Sequence, residues 1–359
     1  MQDTLARLTA TVQNNCHIAD AAHARGYTLC IYLLKMREYY RWEKGYAFST
    51  TLPSEELGDW LQQREQLWES LESAAFSPLV IHGRAFDPFD TDAINRELLE
   101  EGLVYSGGYG HFGAPHFFLG KLLHHQHYDG FTTLLSTDEY ARDLTAPPAM
   151  ALGDTIFVRR ESIRRMLWEK IEEWRWRKQQ NAMARAMAYY DFDADAKHAL
   201  EQMTDHETHA VALHEVGECL AGNQLGAAWN DLLLSVSGSK AERMVRAVRD
   251  HLADALSTLP ALLDAEDTPS LHFYFANLKG MRHTLFPCLY DAYMRWENGG
   301  GLQELRRLIA DGQEVWSKTA QHLLDIHAHH GNACKPYIET ALEHPPLGEE
   351  TPRPACRPA

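Results

Sequence analysis

Phe117–Leu135 reads FFLGKLLHHQHYDGFTTLL, and this stretch decides whether the chain is wholly helical. Two apolar runs, Phe117–His125 and Phe131–Leu135, flank Asp129-Gly130. Glycine tolerates the positive φ that a two-residue hairpin turn requires, so the pattern predicts two paired strands. Leu103–Ser106 and Asp154–Arg159 (DTIFVR) read as further strands, and Pro78–Gly83 (PLVIHG) as a short one. Between them, Thr91 is placed to cap a helix over Ala93–Glu101. Ser136-x-x-Glu139 matches a capping box and predicts a short helix. Ala146-Pro147-Pro148 marks a loop. Residues 76–160 are therefore expected to form a small, hairpin-containing α+β insertion.

Outward from this insertion the periodicity is helical. Asp3–Ala24, Tyr27–Tyr46 and Glu55–Leu71, the last with Ser54 as cap, make an N-terminal group over residues 1–75. Glu161–Tyr190, Asp205–Leu225, Lys240–Leu256, a helix from Thr268-Pro269 kinked near Pro287, and Leu302–His330 make a C-terminal bundle over 161–343. Residues 344–359 are Pro-rich without periodicity and read as a flexible tail. The expected fold is mainly α, a multi-helix bundle with a small β-rich insertion.

Composition narrows the function classes. The 359 residues carry 50 Asp+Glu against 34 Lys+Arg, a formal charge of −16, with 20 His. The acidic balance argues against nucleic acid or an anionic membrane as partner. No apolar run approaches the ~20 residues of a membrane span. The N-terminus lacks an apolar signal core. Six Cys without a C-x-x-C pair suggest reduced thiols in a cytoplasmic protein. The expected partners are a small-molecule substrate or another protein, or a second copy in a homo-oligomer.

The histidines invite a metal reading. In DHETHAVALHEVGE (205–218), successive helical residues turn by ~100°, so His214 and Glu218 lie about 20° to either side of Glu207. One imidazole and two carboxylates on a stripe suit Fe, Mn or Zn. Ala210, Gly217 and Gly222 would let another helix approach. In QHLLDIHAHHG (321–331), His322, Asp325 and His329 fall within about 60° of one another. His17 and Asp20 form a weaker third pair, with Glu38 as a candidate neighbour. The alternatives are a solvated Glu207 beside an i,i+4 hydrogen-bonded His214–Glu218 pair, a His-rich last turn that complements the helix dipole, and for His17 and Asp20 a buried polar contact between helices.

Other motifs carry less. His214-Glu215-x-x-Glu218 lacks the second His of the zinc-protease helix. Gly108-x-Gly110-x-x-Gly113 is followed by Pro115 and a strand-like run, so the strand–turn–helix context of a dinucleotide site fails. His125 and His127 share a strand face and read as solvent-facing.

Glu207-x6-His214 with Asp325-x3-His329 resembles the ligand spacing of haem-oxygenase-like di-iron oxidases, which are helical and activate dioxygen on two irons. The resemblance implies Glu207, His214, Asp325 and His329 as iron ligands, with His322 as a further one. The family spaces its last three ligands H-x3-D-x2-H, whereas this chain has H-x2-D-x3-H. Residues 16–43 (CHIADAAHARGYTLCIYLLKMREYYRWE), with LHEVGE at 213–218, resemble an uncharacterised bacterial family of similar length, which implies no activity. The expected function is a non-haem metal-dependent oxidoreductase, di-iron or mononuclear Fe/Mn. The alternative is a non-catalytic helical interaction or assembly protein whose His/carboxylate pairs are structural.

Overall fold

A computed structural model of the chain describes residues 2–110, 113–128, 130–177 and 179–343. The chain divides into two compact units, residues 1–172 and 173–359. The tail, 344–359, lies outside the described residues. Among the described residues no helix is long and apolar enough to cross a membrane.

The first unit opens with helices α1 (Gln2–His23), α2 (Leu29–Glu43) and α3 (Ser54–Leu71). A short hairpin, β1 (Leu79–Ile81) and β2 (Arg84–Phe86), and α4 (Thr91–Leu98) lead into a sheet. Its strands are β3 (Leu103–Tyr109), β4 (Pro115–Tyr128), β5 (Phe131–Arg142), β6 (Ala149–Leu152) and β7 (Thr155–Arg159). Their order is β3-β4-β5-β7-β6, antiparallel except for the parallel β5–β7 pair. The sheet curls into a half-barrel. It is thus a substantial element and not the small insertion expected. It forms one unit with α1–α3, because Leu8, Val12, Cys16 and Ala19 of α1 lie at helical spacing and bury against Leu79, Ile94, Tyr105, Phe117 and Leu119. The opposite face carries Val104, Phe118, Leu134 and Phe157, as the two-residue period of a strand requires.

The hairpin reading holds where it is described. Tyr128 pairs with Phe131 across a two-residue connection, and Gly130 has φ +85°; Asp129 lies outside the described residues. The capping-box helix does not form. β5 continues through Ser136–Glu139, with register shifts against β4 there, and the Glu139 carboxylate accepts from Ser162 and Arg159 instead of a helix amide. Asp90 caps α4 by accepting from Ala93 N at 3.1 Å, while the Thr91 hydroxyl donates to Gly107 O. Pro53 precedes α3, so Ser54 is its first residue and not its cap. Gly108–Gly113 ends β3 in a tight connection, with Gly110 N donating to Ala114 O; His111 and Phe112 lie outside the described residues.

α5 (Arg160–Arg177) follows β7. The second unit comprises α6 (Ala182–Met187), α7 (Ala196–Leu225), α8 (Ala227–Ser235), α9 (Lys240–Ala253), α10 (Leu259–Asp264), α11 (Thr268–Asn277), α12 (Gly280–Leu285), α13 (Pro287–Glu297), α14 (Gln303–His330) and α15 (Lys335–Glu343). The long helix expected over Glu161–Tyr190 is two, because Asn181 starts a new one by accepting from Ala184 N. The helix expected from Thr268 to Glu297 is three. Gly280 at φ +59° and Pro287 at the first turn of α13 break it. Asp254–Thr258 form a π-helical turn between α9 and α10. Pro260 accounts for it, since proline cannot donate to the carbonyl four residues back and its ring displaces that carbonyl. Gly217 of α7 lies so close to this junction that a Cβ would strike the carbonyl of Ala253. The small-residue reading therefore holds at Gly217. At Gly222 a Cβ would meet nothing within 4 Å.

Candidate functional site

The structure places Glu207 and His214 on the inner face of α7, in line with Met203, Ala221 and Leu225. His214 Nδ1 lies 2.8 Å from Asp254 Oδ1, at the head of the π turn. Tyr274 Oη donates to Asp254 Oδ2 at 2.8 Å, and Arg282 pairs with the same oxygen. His214 Nε2 is 3.7 Å from Glu218 Oε1, and Glu218 is itself paired with Arg249. One fully buried carboxylate thus ties α7, α9, α11 and α12 together.

The electrostatics follow from those contacts. Burial alone would lower the His214 imidazolium, but the hydrogen bond and charge of Asp254, with Glu218, raise it to about 9. Burial pushes Asp254 upward, yet Arg282 and His214 outweigh it and hold the carboxyl well below the usual range. Burial, then the charge of Glu218, raises Glu215 to about 7. Glu207 is pushed well above its ordinary value by burial, the Ser270 hydroxyl opposing only in part.

The second expected cluster is not part of this site. α14 buries Leu305, Leu308, Gly312, Trp316, Ala320 and Leu323. Measured from that stripe, His322, His329 and Asp325 lie about 100–160° around the helix, and all three are exposed. Asp325 accepts from Gln321, and His329 sits edge-on to His330, which stacks on Tyr337 at 3.7 Å. The ligand set Glu207, His214, Glu218, His322, Asp325 and His329 therefore does not converge. Among the described residues no group of three or more His, Cys, Asp or Glu is placed to hold a metal.

His17 and Asp20 also part company. Arg64 Nη1 lies 2.9–3.1 Å from the His17 ring nitrogens, and burial with Arg64 lowers its pKa to about 3. A guanidinium fills the place a metal would take. The Asp20 carboxylate accepts from Leu144 N at 3.0 Å. Glu38 pairs with Arg37 and Arg41, not with His17. Among the described residues Cys16, Cys30 and Cys334 are free thiols.

A second feature, in the first unit, escaped the sequence reading. Leu29, Ile31, Leu33 and Leu34 of α2 are 71%, 47%, 45% and 56% exposed. Leu29 and Leu33 lie on one side of the helix and Leu34 and Ile31 about 100° or more further round, so exposed aliphatic residues wrap this end of α2, an apolar surface of the kind that marks binding sites. Between α2 and α3 lies a groove of about 510 Å³ lined by Cys30, Leu33, Leu34, Met36, Arg37, Leu57 and Leu61. The signal was present in the run LCIYLL. It reads as a buried helix face, since periodicity alone does not say which side is covered.

Two family descriptions match the chain: the N-terminal domain of a family of unknown function (DUF6866) over residues 7–159, and its C-terminal domain over residues 164–345. No curated protein and no solved structure matches, so nothing supports the haem-oxygenase-like resemblance. With both domains present in order and together covering most of its length, the chain belongs to the DUF6866 family of unknown function.

Proposed function

We propose that the protein is a helical interaction protein that docks an amphipathic helix of a partner on α2 and α3. The observation that carries this reading is the exposed Leu29–Leu34 surface beside an open apolar groove. Helix-in-groove recognition uses such a surface, read by apolar anchors three and four residues apart. Charge specifies the partner further. The exposed charged residues of α3, among them Glu55, Glu56, Asp59, Glu65 and Glu69, are all acidic, while its Arg64 is buried on Glu43. A partner helix with basic residues flanking its apolar stripe fits both features. In this reading the His/carboxylate sets of the second unit are interhelix ties.

The test uses a labelled leucine/lysine amphipathic helical peptide as probe. Saturable binding is expected by fluorescence anisotropy, weakened at least tenfold by Leu33→Asp with Leu34→Asp, and weakened by salt. The same composition scrambled to destroy the stripe should not bind. Equal binding of parent and variant overturns the reading. So does a concentration-dependent dimer dissolved by the same substitutions, which would assign the surface to a second copy.

A second reading keeps His214 as a metal ligand in an oxidoreductase. Asp254 backs its Nδ1, as carboxylates back metal-bound imidazoles, and Nε2 points toward Glu218. It predicts near-stoichiometric iron or manganese in untagged protein from metal-supplemented growth, lost in His214→Ala. Less than about half an equivalent removes it.

A further inference from the structure

The face of the sheet turned away from α1 ends in charge. Arg159 closes β7 two residues beyond Phe157, and its guanidinium lies over the Phe118 ring at 4.1 Å. Arg142 closes β5 and lies beside the stacked rings of Tyr39 and Trp42, at 5.2 and 5.3 Å from their centroids. Both arginines are 1% exposed. A guanidinium cannot shed its proton inside a protein, so each needs an anion or several acceptors.

Their donors are only partly used by the acceptors present. Glu139 receives Arg159 Nε at 3.0 Å and Ser162 Oγ at 2.6 Å on the same oxygen, Oε1. Arg159 Nη2 is 2.9 Å from that oxygen but off the angle of a hydrogen bond. Arg142 Nη1 stands 3.9 Å from Glu139 Oε2, too far to donate. A third buried arginine, Arg165, spends its Nη2 on Ser162 and Ala146 O. Asp143 gives Oδ1 to Ala146 N. Arg142 Nη1, both Nη atoms of Arg159 and both ring nitrogens of His116 are left buried without a hydrogen-bond partner. The carboxylates of Glu139, Asp143 and Asp20 lie among these arginines, and Glu139 Oε2 and Asp143 Oδ2 are themselves without a hydrogen-bond partner; the unpaired N–H groups of Arg142, Arg159 and His116 still outnumber these two acceptor oxygens. Ordered water can occupy donors, but it does not neutralise a guanidinium.

We infer that the interior of this sheet is a binding site for a small oxyanion, a carboxylate or a phosphate, held by Arg142 and Arg159 with His116 at its side. Two planar guanidinium groups match the paired oxygens of such an ion. The aromatic rings under both guanidiniums hold them in place before the ion arrives. His116, kept neutral by burial, adds one donor. The inference is independent of the docking groove, which uses neither arginine.

The test is thermal unfolding of the full chain at fixed ionic strength in chloride, in phosphate and in short carboxylates such as acetate and malonate. A midpoint at least about 3 °C higher in phosphate or in a carboxylate than in chloride is expected, and which arm responds names the class. Native mass spectrometry of the parent should show the same ion retained. Arg159→Gln and Arg142→Gln should fold by circular dichroism and lose the shift. If either fails to fold, the parent's two measurements decide. Equal midpoints in all salts, or a shift that survives in a folded Arg159→Gln, overturns the inference.

Discussion

Asp254→Ala should cost the second unit about 3–5 kcal/mol, the range for breaking a buried ion pair from one side. The carboxylate is 1% exposed and serves His214, Arg282 and Tyr274 at once. Alanine leaves two partly buried cations without their nearest counter-charge and a phenol without its acceptor. The penalty lies in those stranded groups more than in the lost contacts. That distinction is measurable. Adding Arg282→Met should recover part of the loss, with a coupling of about 1 kcal/mol or more between the two sites. Hydrogen exchange on the amides of α7 and α9 in the full chain is the suitable readout, since two units need not unfold as one. Unchanged protection in Asp254→Ala would show that the helices are held by apolar packing alone.

The legibility of this arrangement in the sequence was uneven, for physical reasons. The stripe Glu207–His214 could be read because it lies within one helix, where ~100° per residue fixes the facing. Its partner could not, because Asp254 is 40 residues away and its position depends on a π turn that no periodicity announces. The misreading of α14 is more instructive. His322, Asp325 and His329 do cluster, but a cluster faces the interior only if the apolar stripe shares its side. Leu305, Leu308, Trp316 and Leu323 lie on the other side. In the sheet, Phe117–Leu135 disclosed the hairpin through its glycine, whereas the parallel β5–β7 pairing leaves no local trace. Ser136-x-x-Glu139 matched a helix start in composition alone. The strand prevailed there because Glu139 has Arg159 and Ser162 to satisfy it.

The pH profile of the second unit should slope downward toward alkali. His214 titrates near 9 in the folded chain against an ordinary 6.5. Its pairing with Asp254 therefore contributes in full below about pH 6.5 and is lost as pH rises through 9. Integrated over that interval, 2.5 pH units at 1.36 kcal/mol each set an upper bound of about 3 kcal/mol, since His214 is partly open to solvent. Glu207 and Glu215 act in the same direction. Both are held protonated by burial, so stability falls from their ordinary value of 4.5 upward, through about 7 for Glu215. Asp254 opposes only in strong acid, because its depressed carboxyl contributes everywhere above the unfolded 3.8 and fades as pH drops through the lower folded value. Maximum protection of α7 and α9 is thus expected at about pH 4, with a loss by pH 9 that His214→Gln flattens between 6.5 and 9. Exchange must be corrected for its intrinsic pH dependence before the comparison. A profile between pH 6.5 and 9 that His214→Gln leaves unchanged would mean that His214 is neutral beside Asp254, and that the tie is a hydrogen bond without charge.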